Sequence, residues 1–177
     1  SSLPSSPSSL TSPSSPSSSS SSSSLPSLPS HPSSPTLFKP HYSSYKILIV
    51  DDNDVNRLVI QSMLHKLGCQ HVDSAFDGQM AVDTCATKSY DVIFMDIQMP
   101  IMNGIDATNR IRQMEIEQNQ KRKIICAITA NTGKYEQSLC KDAGMDFFMC
   151  KPFSLRDIRQ LLSRSWKIIR KRKKNEM

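Results

Sequence analysis

The hydrophobic pattern of the chain alternates between short apolar runs and longer segments with helical spacing. Apolar runs, typical of strands buried on both faces, occur at 46–50 after its initial Lys46, at 92–95 and at 124–128. Weaker strands are predicted at 71–75 and 145–150. Helical spacing or a capping signal predicts helices at 54–67, 79–87, 105–117, 135–142 and from 154 onward. Strand followed by helix, five times over, predicts an α/β fold with a doubly wound, five-stranded parallel sheet and five helices.

Polar residues end the predicted strands. The apolar run 92–95 stops at Asp96, and the residues placed in the same way on other strands are Asp51, Asp52, Thr129 and Lys151. A single strand-terminal Asp is by default a solvated carboxylate, and Asp51-Asp52 alone could simply favour a helix N-terminus. Because the carboxyl ends of parallel strands meet at one edge, where open α/β sheets bind ligands, we expect all five residues to lie close together.

The residues after Asp96 predict a loop. Met99-Pro100 disfavours helix before the proline, and Asn103-Gly104 is a turn dipeptide. The next helix is therefore expected only from residue 105 onward.

Three crowded carboxylates raise one another's pKa unless a cation compensates them. Oxygen ligands without nearby Cys or His favour Mg²⁺, which typically takes one or two carboxylates together with a phosphate oxygen. Lys151 and Thr129 offer a cation and a hydroxyl to the other oxygens of a phosphoryl group. This set predicts phosphoryl transfer onto a carboxylate, with Asp96 as the nucleophile.

Composition divides the chain into three parts. Residues 1–35 are nearly all Ser and Pro, so we interpret 1–44 as a disordered linker. A transit peptide is the alternative, but the segment has no Arg. The absence of an initiating Met suggests a fragment of a longer protein. The predicted domain covers 45–165, and a basic helix extension or tail covers 166–177.

The net charge of +6 does not come from the domain, since 45–165 is neutral overall and the basic excess lies in the tail. We therefore predict no nucleic-acid binding by the globular part. The tail is interpreted as a solvated helix end, with nuclear import or contact with an anionic surface as alternatives. No apolar run has membrane-spanning length, and the five Cys favour reduced thiols in a cytoplasmic setting.

The motifs together resemble the receiver domain of two-component response regulators. They are Asp51-Asp52, Asp96-x-x-Met99-Pro100-x-Met102-x-Gly104, Thr129-Ala130 and Lys151-Pro152-Phe153, in order, within a match from Tyr45 to Arg164. The resemblance implies a flavodoxin-like sheet with strand order 2-1-3-4-5. It also implies that Asp96 is the phosphoacceptor.

The resemblance further assigns roles around Asp96. Asp52 and Asp96 would bind Mg²⁺ directly with the backbone carbonyl of Gln98, and Asp51 mainly through water. Thr129 and Lys151 would hold phosphoryl oxygens, and the Lys151–Pro152 bond would be cis. Phe148 stands at the family's switch aromatic, where it cannot make the hydroxyl contact of a Tyr; a plain core position is the alternative.

The arrangement resembles the C-terminal receiver of a hybrid histidine kinase. Its expected partners are a histidine kinase and a histidine phosphotransfer protein, and the visible chain has no kinase domain. A receiver-like binding module without phosphorylation is one alternative. A phosphatase with an Asp nucleophile is another, but Gln98 stands where such hydrolases carry a second acid.

Overall fold

The computed structural model describes residues 42–130 and 133–175. The predicted linker falls outside the described residues except at its last three positions, which form a short 3-10 helix, Tyr42–Ser44. Tyr42 and Tyr45 are both buried and lie in contact, with ring centroids 5.9 Å apart. The described chain therefore packs on the core from Tyr42 onward.

Five strands and five α-helices alternate along the chain. They are β1 (Lys46–Val50), α1 (Asp54–Lys66), β2 (His71–Ala75), α2 (Gly78–Thr87), β3 (Val92–Asp96), α3 (Gly104–Glu117), β4 (Ile124–Thr129), α4 (Lys134–Asp142), β5 (Phe147–Cys150) and α5 (Leu155–Asn175). The strands form one parallel sheet in the order β2-β1-β3-β4-β5. The predicted fold class and strand order are confirmed, and the more polar β2 lies at an edge.

The sheet has a hydrophobic core on each face. Alternate strand residues point to opposite faces, so Ile49 and Phe94 pack with α1 and α5 while Val50 and Met95 pack with α2 and α3. All residues of β3 and β4 are buried. Burial on both faces explains why these strands are apolar without alternation.

Helix α1 differs from a simple amphipathic helix. Its core contacts come from Ile60 and Leu64, which are fully buried. Val55, Leu58 and Val59 are instead 66%, 64% and 44% exposed. The apolar spacing correctly predicted a helix. Its apolar residues lie on two separate stripes, however, and only one of these stripes faces the sheet.

Helix α5 begins with the predicted capping box. The Asp157 carboxylate accepts hydrogen bonds from the backbone N–H of Ser154 at 2.8 Å and from its hydroxyl at 2.7 Å. The helix continues without a break across residue 165, and Trp166, Ile168 and Ile169 pack against the core. The division of the chain at residue 165 stays a prediction.

Several element ends differ slightly from the sequence expectations. The last strand begins at Phe147 rather than Met145, because the Met145 N–H still donates to the Cys140 carbonyl at the end of α4. Asn103 caps α3 by accepting from the Asp106 N–H at 2.8 Å, so the loop after β3 ends where the Asn-Gly pair predicted.

All five cysteines are free thiols, and four are buried. Among the helices of the described residues, none combines the length and apolar character needed to cross a membrane.

Replacement of Gly104 by Ala should displace the loop between Asp96, the last residue of β3, and α3. A Cβ at Gly104 would lie 2.0 Å from the Asp96 carbonyl oxygen, which is backbone and cannot rotate away. We expect Gly104→Ala to lower the free energy of unfolding by about 1–3 kcal/mol, the usual range for overpacking. The measurement is urea denaturation, with exposed Asn109→Ala on the same helix as the control. Equal stability of the two variants would refute the steric account.

Candidate functional site

The predicted acidic cluster forms at the carboxyl edge of the sheet. Asp51 follows β1 directly, Asp96 ends β3, and these two neighbouring strands bring their carboxylates together with that of Asp52. One oxygen from each of the three lies within 4.8 Å of the others. Asp51 and Asp96 are buried whereas Asp52 is exposed, so the cluster opens to solvent on one side.

Asp51 is fixed by residues from the start of α1. Its carboxylate accepts from the Asn53 N–H at 2.9 Å and from the Asn56 side-chain amide at 3.0 and 3.2 Å. Arg57 donates to the Asp51 carbonyl at 2.6 Å. Sequence reasoning missed Asn56 and Arg57, and their positions one helical turn beyond Asp51-Asp52 were the available signal.

Lys151 joins the two buried carboxylates. Its Nζ donates to Asp51 Oδ2 at 2.8 Å and to Asp96 Oδ2 at 2.5 Å. The Lys151 N–H donates to the Thr129 carbonyl at 2.8 Å, which ties the end of β5 to that of β4. The Lys151–Pro152 peptide bond is cis, as the resemblance implied.

The pKa values of the two buried carboxylates that share Lys151 are shifted in opposite directions. Burial alone would raise the pKa of Asp51, but hydrogen bonds from Lys151, Asn53 and Asn56 together hold it below its ordinary value. Burial raises the pKa of Asp96, and its fewer donors, Lys151 and the Gln98 N–H, only partly oppose that rise. Burial disfavours the Lys151 cation, yet its two carboxylate partners keep its pKa above the usual value.

Thr129 lies at the same edge but contacts a residue that sequence reasoning did not predict. Its hydroxyl is 3.2 Å from Glu136 Oε1, in the first turn of α4. The other carboxylate oxygen of Glu136 is buried, and within residues 42–130 and 133–175 no group donates a hydrogen bond to it. Nothing in the sequence pattern singled out Glu136, because its position depends on how the chain folds between β4 and α4.

The remaining predicted site residues are Gln98 and Phe148. The Gln98 N–H donates to Asp96 Oδ1 at 3.1 Å, so this residue does contact the cluster through its backbone. Phe148 is partly buried and packs on the core at the face of α2 and α3. The metal-binding role of the Gln98 carbonyl and the switch role of Phe148 both stay predictions.

The donor set suits a hard cation. Three carboxylates converge without a His or Cys among them, and oxygen-only sets favour Mg²⁺ or Ca²⁺ over softer metals. Lys151 compensates only one of the three negative charges. The acidic cluster can therefore hold a metal ion, and such an ion would relieve the remaining repulsion.

Comparison with known proteins agrees with this fold. The sequence model of the response regulator receiver domain matches residues 47–163. Hybrid signal transduction histidine kinase L of Dictyostelium discoideum is 40% identical over 122 residues, which cover 67% of this chain and only 7% of that kinase. The chain belongs to the receiver domain family.

Two solved receiver structures are similar throughout the domain. The receiver of the sensor histidine kinase PA1611 from Pseudomonas aeruginosa, solved with a magnesium ion in its active site cleft, is 36% identical with a TM-score of 0.61, covering 68% of this chain and 95% of that one. The receiver of Ssk1, solved with the phosphotransfer protein Ypd1 of Saccharomyces cerevisiae, is 29% identical with a TM-score of 0.62, covering 66% and 85%.

Removal of the Lys151 cation should leave two buried carboxylates uncompensated. We expect Lys151→Met to lower the free energy of unfolding by about 1–3 kcal/mol, less than for a fully buried pair because the Lys151 side chain is 26% exposed. The measurement is urea denaturation at neutral pH in a metal chelator. Adding Asp96→Asn should recover part of the loss, since it removes one of the unpaired charges. A double variant less stable than Lys151→Met would contradict the electrostatic explanation.

Proposed function

We propose that this domain is the phosphoacceptor of a phosphorelay, and that Asp96 receives the phosphoryl group. The observation that carries the proposal is the position of Asp96: its carboxylate ends the central strand β3, contacts Lys151 and lies within 4.8 Å of two further acids. The receiver family, to which the chain belongs, supports the same assignment.

Asp51, Asp52 and Asp96 would hold Mg²⁺, together with the backbone carbonyl of Gln98. When bound, the ion neutralises charge on the carboxylates and on the incoming phosphoryl oxygens. The magnesium ion in the active site cleft of the PA1611 receiver supports this choice of metal.

The transfer itself needs little from the protein beyond position and charge. An oxygen of Asp96 attacks phosphorus, a new P–O bond forms, and the P–N bond to the donor histidine breaks, with its electron pair returning to the imidazole. Lys151 stabilises the charge on the phosphoryl oxygens, and Thr129 donates its hydroxyl to one of them. In making this contact Thr129 would exchange its hydrogen bond to Glu136 for one to the phosphoryl group.

The exposed apolar stripe of α1 is the proposed docking surface for the donor. Val55, Leu58 and Val59 are exposed and lie in the first two turns of α1, close in sequence to Asp51 and Asp52. A cavity of about 380 Å³ joins Val59 to Lys151 and Phe153, so the stripe is continuous with the site. The proposed occupant is a helix of a histidine phosphotransfer protein, which would bring its phosphohistidine over Asp96. The complex of Ypd1 with the Ssk1 receiver supports a partner of this kind.

The wider setting proposed is a hybrid histidine kinase acting in the cytoplasm. The 40% identity to a hybrid kinase of Dictyostelium discoideum supports this setting. The four buried free thiols suit a reducing compartment.

Phosphorylation by a small phosphodonor tests the assignment of Asp96. The chain is incubated with acetyl phosphate and Mg²⁺, and its intact mass is measured. We expect wild type to gain one phosphoryl group and Asp96→Asn to gain none. Asp83→Asn, which removes an exposed carboxylate of α2, is the matched control and should behave as wild type. Phosphorylation of Asp96→Asn, or none on wild type, would overturn the proposal, while steady hydrolysis of a phosphate ester would favour a phosphatase.

The docking proposal predicts a selective loss of transfer. Leu58→Gln with Val59→Gln should slow phosphoryl transfer from phosphorylated Ypd1 by about tenfold, because removal of central apolar contacts weakens an interface by at least about 1.4 kcal/mol. Labelling by acetyl phosphate should not change, since no docking is needed. Transfer is followed with radiolabelled phosphate on a gel.

Ile116→Gln provides the control for that variant. Ile116 is 82% exposed at the far end of α3, so its replacement should leave both reactions unchanged. Equal slowing of transfer by the α1 variant and by Ile116→Gln would exclude α1 as the docking surface.

A further inference from the structure

A second cavity, of about 460 Å³, lies at the amino edge of the sheet, opposite the acidic cluster. Three segments form its walls: the loop before β3 with Tyr90 and Asp91, the loop before β4 with Lys121 and Arg122, and the last turns of α5. Its volume is within the range of small-molecule sites.

The lining of this cavity is strongly cationic. Lys121, Arg122, Arg172 and Lys173 line it, and Asp91 is the carboxylate among the lining residues that the structure describes. The Asp91 carboxylate already accepts from the Lys46 N–H at 3.0 Å, which compensates part of its charge. Arg122 also pairs with Asp146 at 3.2 Å, which compensates part of its charge. Among the described residues of the lining the cations still outnumber the carboxylates, and this excess creates a positive potential within a concave surface.

Hydrogen bonds from two different elements hold the arginines in place. Arg172 donates to the Arg122 carbonyl at 2.8 Å, across 50 residues of sequence. Arg122 donates through one nitrogen to the Gly144 carbonyl at 2.8 Å and to Asp146 at 3.2 Å. A guanidinium has five N–H donors, so these bonds orient the two side chains and still leave donors for a ligand.

The cavity also has an apolar portion. Tyr90 is buried, with its hydroxyl donating to Asp73 at 2.6 Å, so the ring is fixed against the sheet. Ile169 is partly buried on the core and faces the same cavity. An anion that also carries a flat or apolar group would fit this surface better than a bare ion.

The third wall of the cavity, formed by the last turns of α5, lies outside the residues that the receiver model matches. The receiver match ends at residue 163, whereas Ile169, Arg172 and Lys173 belong to the extension of α5. The basic composition of this extension predicts a solvated helix end, and several of its lysines are exposed. Arg172 in addition contacts the loop before β4 at the amino edge of the sheet.

We propose that this cavity is a binding site for a small organic polyphosphate, of the size of a nucleoside triphosphate. Arginine guanidinium groups match pairs of phosphate oxygens, and lysines add point charges around them. The Tyr90 and Ile169 surface would accept the organic part of the ligand. None of the lining residues belongs to the acidic cluster, so the site is separate from the proposed phosphoacceptor function and does not depend on it.

Calorimetric titration of the full chain with ATP, in a metal chelator, tests the proposal. We expect saturable binding that Arg172→Gln with Lys173→Gln weakens by about tenfold, because two cations of the lining are lost. Lys167→Gln with Lys171→Gln removes the same charge from exposed positions of the same helix outside the cavity, and should weaken binding less than about threefold. Equal weakening by the two double variants, or no binding by wild type, would overturn the proposal.

Two further variants locate the ligand. Lys121→Gln should also weaken ATP binding, and this loop substitution decides the question if the α5 variant loses helix by circular dichroism. Lys151→Met, at a temperature at which its circular dichroism matches that of wild type, should not affect binding, and a loss there would place the anion at the acidic cluster instead.

A vesicle arm distinguishes a soluble ligand from a lipid headgroup. Phosphatidylcholine vesicles with and without a phosphoinositide are sedimented with the chain. We expect the chain to show no vesicle binding that is lost when Arg172 and Lys173 are both replaced by Gln. Vesicle binding that is stronger than ATP binding and lost in that double variant would contradict a soluble ligand.

Discussion

The contact of Lys151 with Asp51 and Asp96 is the interaction on which the site depends. One ammonium group lies between two buried carboxylates that would otherwise repel each other, and it reaches them from the end of β5. Because burial raises the pKa of Asp96 while the donors around Asp51 lower its pKa, the two acids differ in character although they share the lysine. The Asp51 carboxylate is therefore suited to stay ionised and to bind a cation. The Asp96 carboxylate accepts fewer hydrogen bonds from the protein, so fewer of them must break before it can react.

The parallel topology explains how so few residues create this site. The strand order places β1 and β3 side by side, with β4 and β5 following, so residues 100 positions apart, Asp51 and Lys151, meet in space. Helices cover both faces of β3 and all its residues are buried, so Asp96 is held at the end of a well-packed strand. Gly104 allows the loop after Asp96 to pass close to the strand end, which couples the stability of the fold to the geometry of the site.

The repeating pattern and the strand-end residues were sufficient to predict the fold class, the acidic edge and the place of Lys151, since all three follow from local periodicity and parallel topology. The strand order came from the family resemblance. Glu136 and Asn56 were not predicted, because their contacts depend on how helices begin in three dimensions. The exposed stripe of α1 was hidden for a related reason: spacing alone does not say which of two apolar faces meets the sheet. Ile101 has a φ of 66°, a left-handed conformation that is rare for a β-branched residue and that sequence gives no reason to expect.

Opposite charges gather at the two edges of the sheet. Acids gather at the carboxyl edge, and the α5 extension adds cations at the amino edge. Chemical location of the phosphoryl group is the most direct test that Asp96, at the acidic edge, is the phosphoacceptor. The phosphorylated chain is reduced with borohydride, which converts an aspartyl phosphate to homoserine, and the product is sequenced by tandem mass spectrometry. The account predicts homoserine at Asp96, and homoserine at any other position, or none, would contradict it.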